Sequence, residues 1–331
     1  MAVGRARTYT WGMSRRGSVG MPASSAAALS RLAGLAATGL MAVGLLGVYR
    51  YLDNYWLYRG FAPPKDAAYV TTPGTQTTIN VASAALGGRR QEVVVYLPPG
   101  YSAHPQRRYP VMYLLHGFPG KPLAFLDTVR MGVVEDELVA RGVAQPLILV
   151  MPFGSTGQFT DKEWANGVGH DQGWETFVAR DVVKAIDARF RTIPTGSARV
   201  IAGLSEGGYG AVNIALHHPG EFGVVESWSG YMRADDLGAI FGHRRALLAH
   251  NTPLDTLAAV APTLRREHTY FWFYSGTNDG FRKQNAAFAR ELAATGIPHR
   301  FFLVDGGHNW AIWRDQAGPA YLAAARRVHG A

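Results

Sequence analysis

Residues 200–210, Val-Ile-Ala-Gly-Leu-Ser-Glu-Gly-Gly-Tyr-Gly, leave this chain few folds to choose from. An apolar run ends in Gly-x-Ser-x-Gly and passes at once into a small-residue helix start. That is the pattern of a strand, a sharp turn at Ser205 and a departing helix. Such a turn strains the serine backbone and needs neighbours without bulk, which Gly203 and Gly207 supply. It also pushes the serine hydroxyl into the open at a helix N-terminus, where the local field favours negative charge. The same five residues also occur as an ordinary turn, so the reading depends on what surrounds them.

Short β-favouring runs recur along the body. Thr77–Ser83 and Glu92–Leu97, separated by Gly87-Gly88, read as an antiparallel hairpin. Val111–Leu115, Leu147–Met151, Arg199–Gly203, Val224–Trp228, Tyr270–Tyr274 and Arg300–Val304 read as six further strands. Helical periodicity falls between them, over Val133–Arg141, Trp174–Phe190, Gly208–His218, Lys283–Ala294 and Trp310–Arg327. Alternation of this kind after an initial hairpin implies an α/β fold: an eight-stranded, mostly parallel sheet with helices on both faces. Two stretches resist assignment. Residues 152–172 form a long segment with little periodicity, and residues 235–266 read as partly helical, a candidate cap over the site.

Ligands bind such sheets beyond the carboxyl ends of the strands. There the fifth strand delivers Ser205, the seventh delivers Asp279 in Thr-Asn-Asp-Gly, and the eighth delivers His308 in Gly-Gly-His. The order Ser, Asp, His is the one expected of an α/β-hydrolase triad. Serine is a poor nucleophile until a base takes its proton. His308 is the expected base, and Asp279 is expected to fix its tautomer and stabilise the imidazolium. Asp305, three residues before the histidine, is the rival acid and is poorly placed for the distal ring edge. The backbone N–H groups of Glu206 and Phe118 are the expected oxyanion donors. His116 and Gly117 shape the turn that presents Phe118. With Trp174 and Trp310 they complete the residues expected to contact substrate, although core packing is an equally ordinary use of a tryptophan.

Composition narrows the chemistry further. There are no cysteines, which excludes disulfides, thiolate metal sites and a cysteine nucleophile. The acids Asp161, Glu163, Asp171 and Glu175 show no metal-ligand spacing, so neither a metal nor a cofactor is expected. The net charge of +9 belongs mostly to residues 1–60, which hold seven arginines against one acid. The body has no basic stripe interleaved with aromatics, so nucleic acid is not an expected partner.

From Leu32 to Tyr49 the chain runs without a formal charge between Arg31 and Arg50, long enough to be read as a membrane helix. Tyr49, Tyr51, Tyr55 and Trp56 lie where an interfacial aromatic belt would fall, and five arginines precede the run. The expected organisation is a basic cytoplasmic segment (1–31), a single uncleaved transmembrane anchor (32–49), a linker (50–75) and a catalytic domain (76–331). The positive-inside rule puts that domain on the extracytoplasmic side of the cell membrane. A signal peptide is the rival reading, but no small-x-small cleavage pattern follows the run.

The residues quoted so far, with Val95-Tyr96-Leu97-Pro98-Pro99-Gly100-Tyr101, Tyr113-Leu114-Leu115-His116-Gly117, Trp174-Glu175-Thr176-Phe177 and Gly307-His308-Asn309-Trp310, carry a resemblance. Over about residues 75–325 the chain resembles the putative-esterase family of α/β-hydrolases, which includes esterase D, feruloyl esterase domains and the antigen-85-type mycolyltransferases. The resemblance implies Ser205 as nucleophile, His308 as base, Asp279 as acid and an ester as substrate. Mycolyltransferases use a glutamate as the acid and a different residue after the serine, so Asp279 leans towards hydrolysis. An anchored N-terminus has no counterpart in soluble members and suggests a lipid or cell-envelope ester. An acyltransferase using the same acyl-enzyme is the alternative, and a silent binding protein on this fold is the third possibility.

Overall fold

The computed structural model describes residues 23–157 and 159–328. The chain falls into two units, Met1–Asn54 and Tyr55–Ala331. In the first, residues 1–22, including most of the expected basic segment, lie outside the described residues. The rest is helix α1 (Ala23–Tyr58), whose last turn belongs to the second unit. Within it Ser30–Tyr58 is long and apolar enough to cross a membrane, with a mean hydropathy of 1.8 and none of the window buried. Leu35, Leu40, Met41 and Val43 are all exposed. The expected linker differs in its first part. Residues 50–58 continue α1, because Arg50, Asp53 and Asn54 interrupt the apolar run but not helix propensity, and no glycine or proline intervenes before Gly60.

The second unit is built on eight strands: β1 (Thr75–Ala82), β2 (Arg90–Leu97), β3 (Val111–Leu115), β4 (Ile148–Pro152), β5 (Arg199–Leu204), β6 (Val224–Trp228), β7 (Tyr270–Gly276) and β8 (His299–Val304). Their order is β1-β2-β4-β3-β5-β6-β7-β8. β2 is antiparallel to both β1 and β4, and the other pairs are parallel. The central strands are buried on both faces, which is why they read as unbroken apolar runs. The period of two sorts their side chains. Val111, Tyr113 and Leu115 of β3 enter one core cluster and Met112 and Leu114 the other. Each large apolar side chain so buried contributes about 1.5–3 kcal/mol.

The sequence of connections reverses at β3 and β5. β3 leads to β4 on one side, and β5 leads to β6 on the other. A crevice opens at such a reversal beyond the strand ends. Here it lies between the turn after β3 and the turn after β5.

Both unassigned stretches take up defined structure among the described residues. Residues 235–266 form three helices, Gly238–Phe241, Arg245–His250 and Pro253–Arg266. The last buries Leu257, Ala261 and Leu264 and packs on the helices Glu206–His217 and Arg282–Ala294. Its internal Pro262 disguises it as a breaker. The segment after β4 turns inward at Glu163 and Trp164, both with positive φ, and buries the Trp164 indole completely. The indole N–H donates to His116 O at 3.0 Å. A Cβ at Gly210 would lie 2.6 Å from this side chain, so the glycine lets the helix after β5 sit directly on it.

Candidate active site

The elbow forms as its glycines require. Ser205 has φ 55° and ψ −122°, a backbone region that L-residues rarely adopt. Holding it there costs on the order of 1–3 kcal/mol. Its neighbours leave no room: a Cβ on Gly207 would sit 1.9 Å from Leu115 O, at the end of β3. Gly207→Ala is therefore expected to lower stability by about 3 kcal/mol or more. Thermal unfolding measures this, and a Tm within about 2 °C of wild type would show that the turn can relax.

Three side chains nominated by the sequence meet at the crevice. Ser205 Oγ lies 2.8 Å from His308 Nε2, and His308 Nδ1 lies 3.0 Å from Asp279 Oδ2. The Asp279 side chain is fully buried, and its Oδ1 accepts the Phe281 N–H at 2.8 Å. Burial works to raise the Asp279 carboxyl pKa, but hydrogen bonds from His308 and then Phe281 outweigh it and hold it below the ordinary value. The imidazole is bracketed edge-on by Trp313 and Phe281, at 5.1 and 5.2 Å between ring centres. Asn309 fixes the position of the next helix by accepting the N–H groups of Ala311 and Ile312. Asp305 instead accepts the Thr277 hydroxyl at 3.3 Å.

Gly117, Phe118, Pro119, Leu204, Ser205, His308, Trp310, Trp313 and Arg59 line a cleft of about 160 Å³. Among the described residues neither Glu206 N–H nor Phe118 N–H has an acceptor. A nucleophile and a base in one cleft, a buried carboxylate behind the base and the free N–H of the cleft-lining Phe118 form an array capable of acyl transfer. A larger groove of about 460 Å³ starts at Tyr270 and Arg300, at the amino ends of β7 and β8, away from the strand ends that carry the serine.

Two expected contact residues lie elsewhere. Trp174 is 1% exposed and packs edge-on against Phe177 in the core, so it does not border the cleft. His116 is also buried behind the wall. Its Nε2 accepts the Gly154 N–H at 3.2 Å, which leaves Nδ1 to carry the proton and donate to Gly117 O at 2.9 Å. Burial lowers its pKa to about 4, so it is neutral and serves to fix the turn carrying Phe118. Gly117 and Trp310 do border the cleft. Trp313, unnoticed in the sequence, was within reach of it: it lies three residues after Trp310 on the same helix face. Nothing local marks Arg59.

Behind the elbow the Glu206 carboxyl is buried beside Asp161 and Glu163. Burial first, and then Asp161, raise the Glu163 pKa to about 8, and the Tyr231 hydroxyl donates to its Oε2. Between about pH 4.5 and 8 the unfolded chain releases a proton here that the folded chain keeps, so this group lowers stability as pH rises through that window. Glu163→Gln keeps the acceptor for Tyr231 and removes the titration. Its Tm relative to wild type is expected to climb from pH 5 to pH 8. A difference constant with pH would mean that the carboxyl is already ionised in the fold.

A family model described as putative esterase matches residues 83–321. Over 146 residues the chain is 34% identical to an endo-1,4-beta-xylanase/feruloyl esterase of Xylanibacter ruminicola, covering 43% of this chain and 20% of that one. It is 28% identical over 248 residues to an esterase of Mycobacterium tuberculosis, covering 65% and 52% respectively. The chain thus spans from a fifth to about half the length of these two relatives. A solved ferulic acid esterase superposes with a TM-score of 0.68 at 24% identity, over 77% of this chain and 99% of that one.

Proposed function

The chain belongs to the putative-esterase family, and from that premise we propose that it is a serine hydrolase of carboxylic esters, held in a membrane by α1. The observation that carries the reading is the hydrogen-bonded Ser205–His308–Asp279 array, with Ser205 and His308 in the cleft wall and the Phe118 and Glu206 N–H groups unpaired among the described residues.

In this reading Ser205 Oγ attacks the ester carbonyl as His308 Nε2 takes its proton. The carbonyl oxygen becomes an oxyanion and accepts the N–H groups of Glu206 and Phe118. Asp279 keeps Nδ1–H in place and stabilises the imidazolium. Collapse of the intermediate breaks the C–O bond, and the alcohol leaves with the proton from His308. Water then repeats the sequence on the acyl-enzyme, releasing the acid and restoring Ser205. The arginines before α1 favour a cytoplasmic N-terminus and an extracytoplasmic body, and hence a lipid or cell-envelope ester as substrate.

The test is turnover of p-nitrophenyl esters from acetate to laurate by the full chain in detergent micelles, with and without a primary alcohol. Free acid as the main product at every alcohol concentration supports hydrolysis. Diversion of most acyl groups to the alcohol at low concentration would make the chain a transferase.

A further inference from the structure

Among the described residues that line the cleft, Arg59 is the one that comes from the segment following α1. Its N–H donates to Tyr55 O at 2.7 Å, closing the helix, and its φ is 52°. Glycine is the usual residue at such a stop, because a Cβ in this conformation costs about 1 kcal/mol. The neighbouring chain is tied down on both sides. The Thr128 hydroxyl donates to Leu57 O at 2.5 Å, and the Arg314 guanidinium lies 4.7 Å from the Phe61 ring centre. The arginine is therefore held in the cleft wall.

The Arg59 guanidinium lies over Trp56 at 3.8 Å and faces Trp310 at 5.2 Å. Aromatic faces take up the flat sides of a guanidinium and leave its N–H donors directed outward in the plane. Among the described residues no acceptor is hydrogen-bonded to those donors. Nε is buried without a hydrogen-bond partner, and no carboxylate among the described residues lies within ion-pair distance. Asp279 is fully buried and bonded to His308. A planar donor fork, fixed on two rings and unpaired, matches a carboxylate or a phosphate.

We propose that Arg59 is a specificity-determining residue that binds an anionic group, carboxylate or phosphate, carried by the ester substrate beside the scissile bond. The proposal rests on the esterase reading and narrows it to anionic esters. A lysine would not substitute fully, since it offers a point charge in place of a fork and stacks less well between two indoles.

The experiment compares wild type, Arg59→Gln and Arg59→Lys, as full chains in neutral detergent micelles, on two matched pairs. p-Nitrophenyl butyrate against p-nitrophenyl hydrogen succinate places a carboxylate on the acyl side. Monobutyrylglycerol against monobutyrylglycerol phosphate places a phosphate on the alcohol side. In one pair wild type is expected to favour the anionic member in kcat/KM by roughly ten- to a hundredfold. In Arg59→Gln that ratio is expected to fall to near one, chiefly through KM, with Arg59→Lys between. Isothermal titration of Ser205→Ala with succinate and with glycerol phosphate supplies a readout free of turnover. Binding that Arg59→Gln abolishes in that background supports the anion site even if no ester is hydrolysed. Ser205-dependent hydrolysis with no anion preference in either pair, or a preference unchanged in Arg59→Gln, overturns the anion site and leaves the esterase reading standing.

Discussion

Ser205→Ala is expected to lower kcat for a carboxylic ester by on the order of 10⁶-fold while leaving Tm close to wild type. The factor corresponds to about 8 kcal/mol of transition-state stabilisation. It is large because the side chain forms the bond, and because Oγ already stands 2.8 Å from its base. The oxyanion donors and the cleft survive the substitution, so a residue of catalysis above the uncatalysed rate is expected to remain. Combining it with His308→Ala should cost little more than either change alone, since the two side chains act as a unit. Steady-state rates on p-nitrophenyl butyrate check both statements. Two separate losses that multiply in the double variant would show that Ser205 and His308 do not share a step.

Asp279→Asn is expected to lower kcat by about 10⁴-fold, or about 5.5 kcal/mol, with KM little changed. The geometry gives the reason. The Asp279 carboxylate accepts from Nδ1 and from the Phe281 N–H. An asparagine that keeps its oxygen on Phe281 turns its NH₂ towards Nδ1. The imidazole must then accept there and carry its proton on Nε2, where it faces Oγ with a hydrogen instead of a lone pair. Nothing in the packing changes, so Tm should hold. A loss below about tenfold would indicate that another group sets the tautomer. Asp305 is an unsuitable substitute, since it is engaged by Thr277.

Much of this arrangement was legible in the sequence because it is written in local patterns. The central strands are continuous apolar runs, and β3 and β6 fall where those runs lie. Ser205, Asp279 and His308 each lie within four residues of a strand's carboxyl end, so counting strands was enough to bring three distant residues to one sheet edge. What was not legible depends on long-range packing. Trp174 and Trp310 are alike in the sequence, yet one is locked in the core and the other borders the cleft. His116 sits in the right turn, but its ring points back to Gly154. Pro262 hid a helix whose apolar stripe is otherwise regular. Arg59 reads as one more basic residue near an apolar run. Its role depends on Trp310, about 250 positions away, and on the helix stop that aims it.

The decisive measurement is the covalent state of the full chain after rapid quenching with p-nitrophenyl butyrate, read by peptide mass spectrometry. The mechanism requires one butyryl group on the peptide bearing Ser205, accumulating in a burst and absent from Ser205→Ala. An ester that is hydrolysed with no acyl group on Ser205, or with the group on another residue, would contradict it.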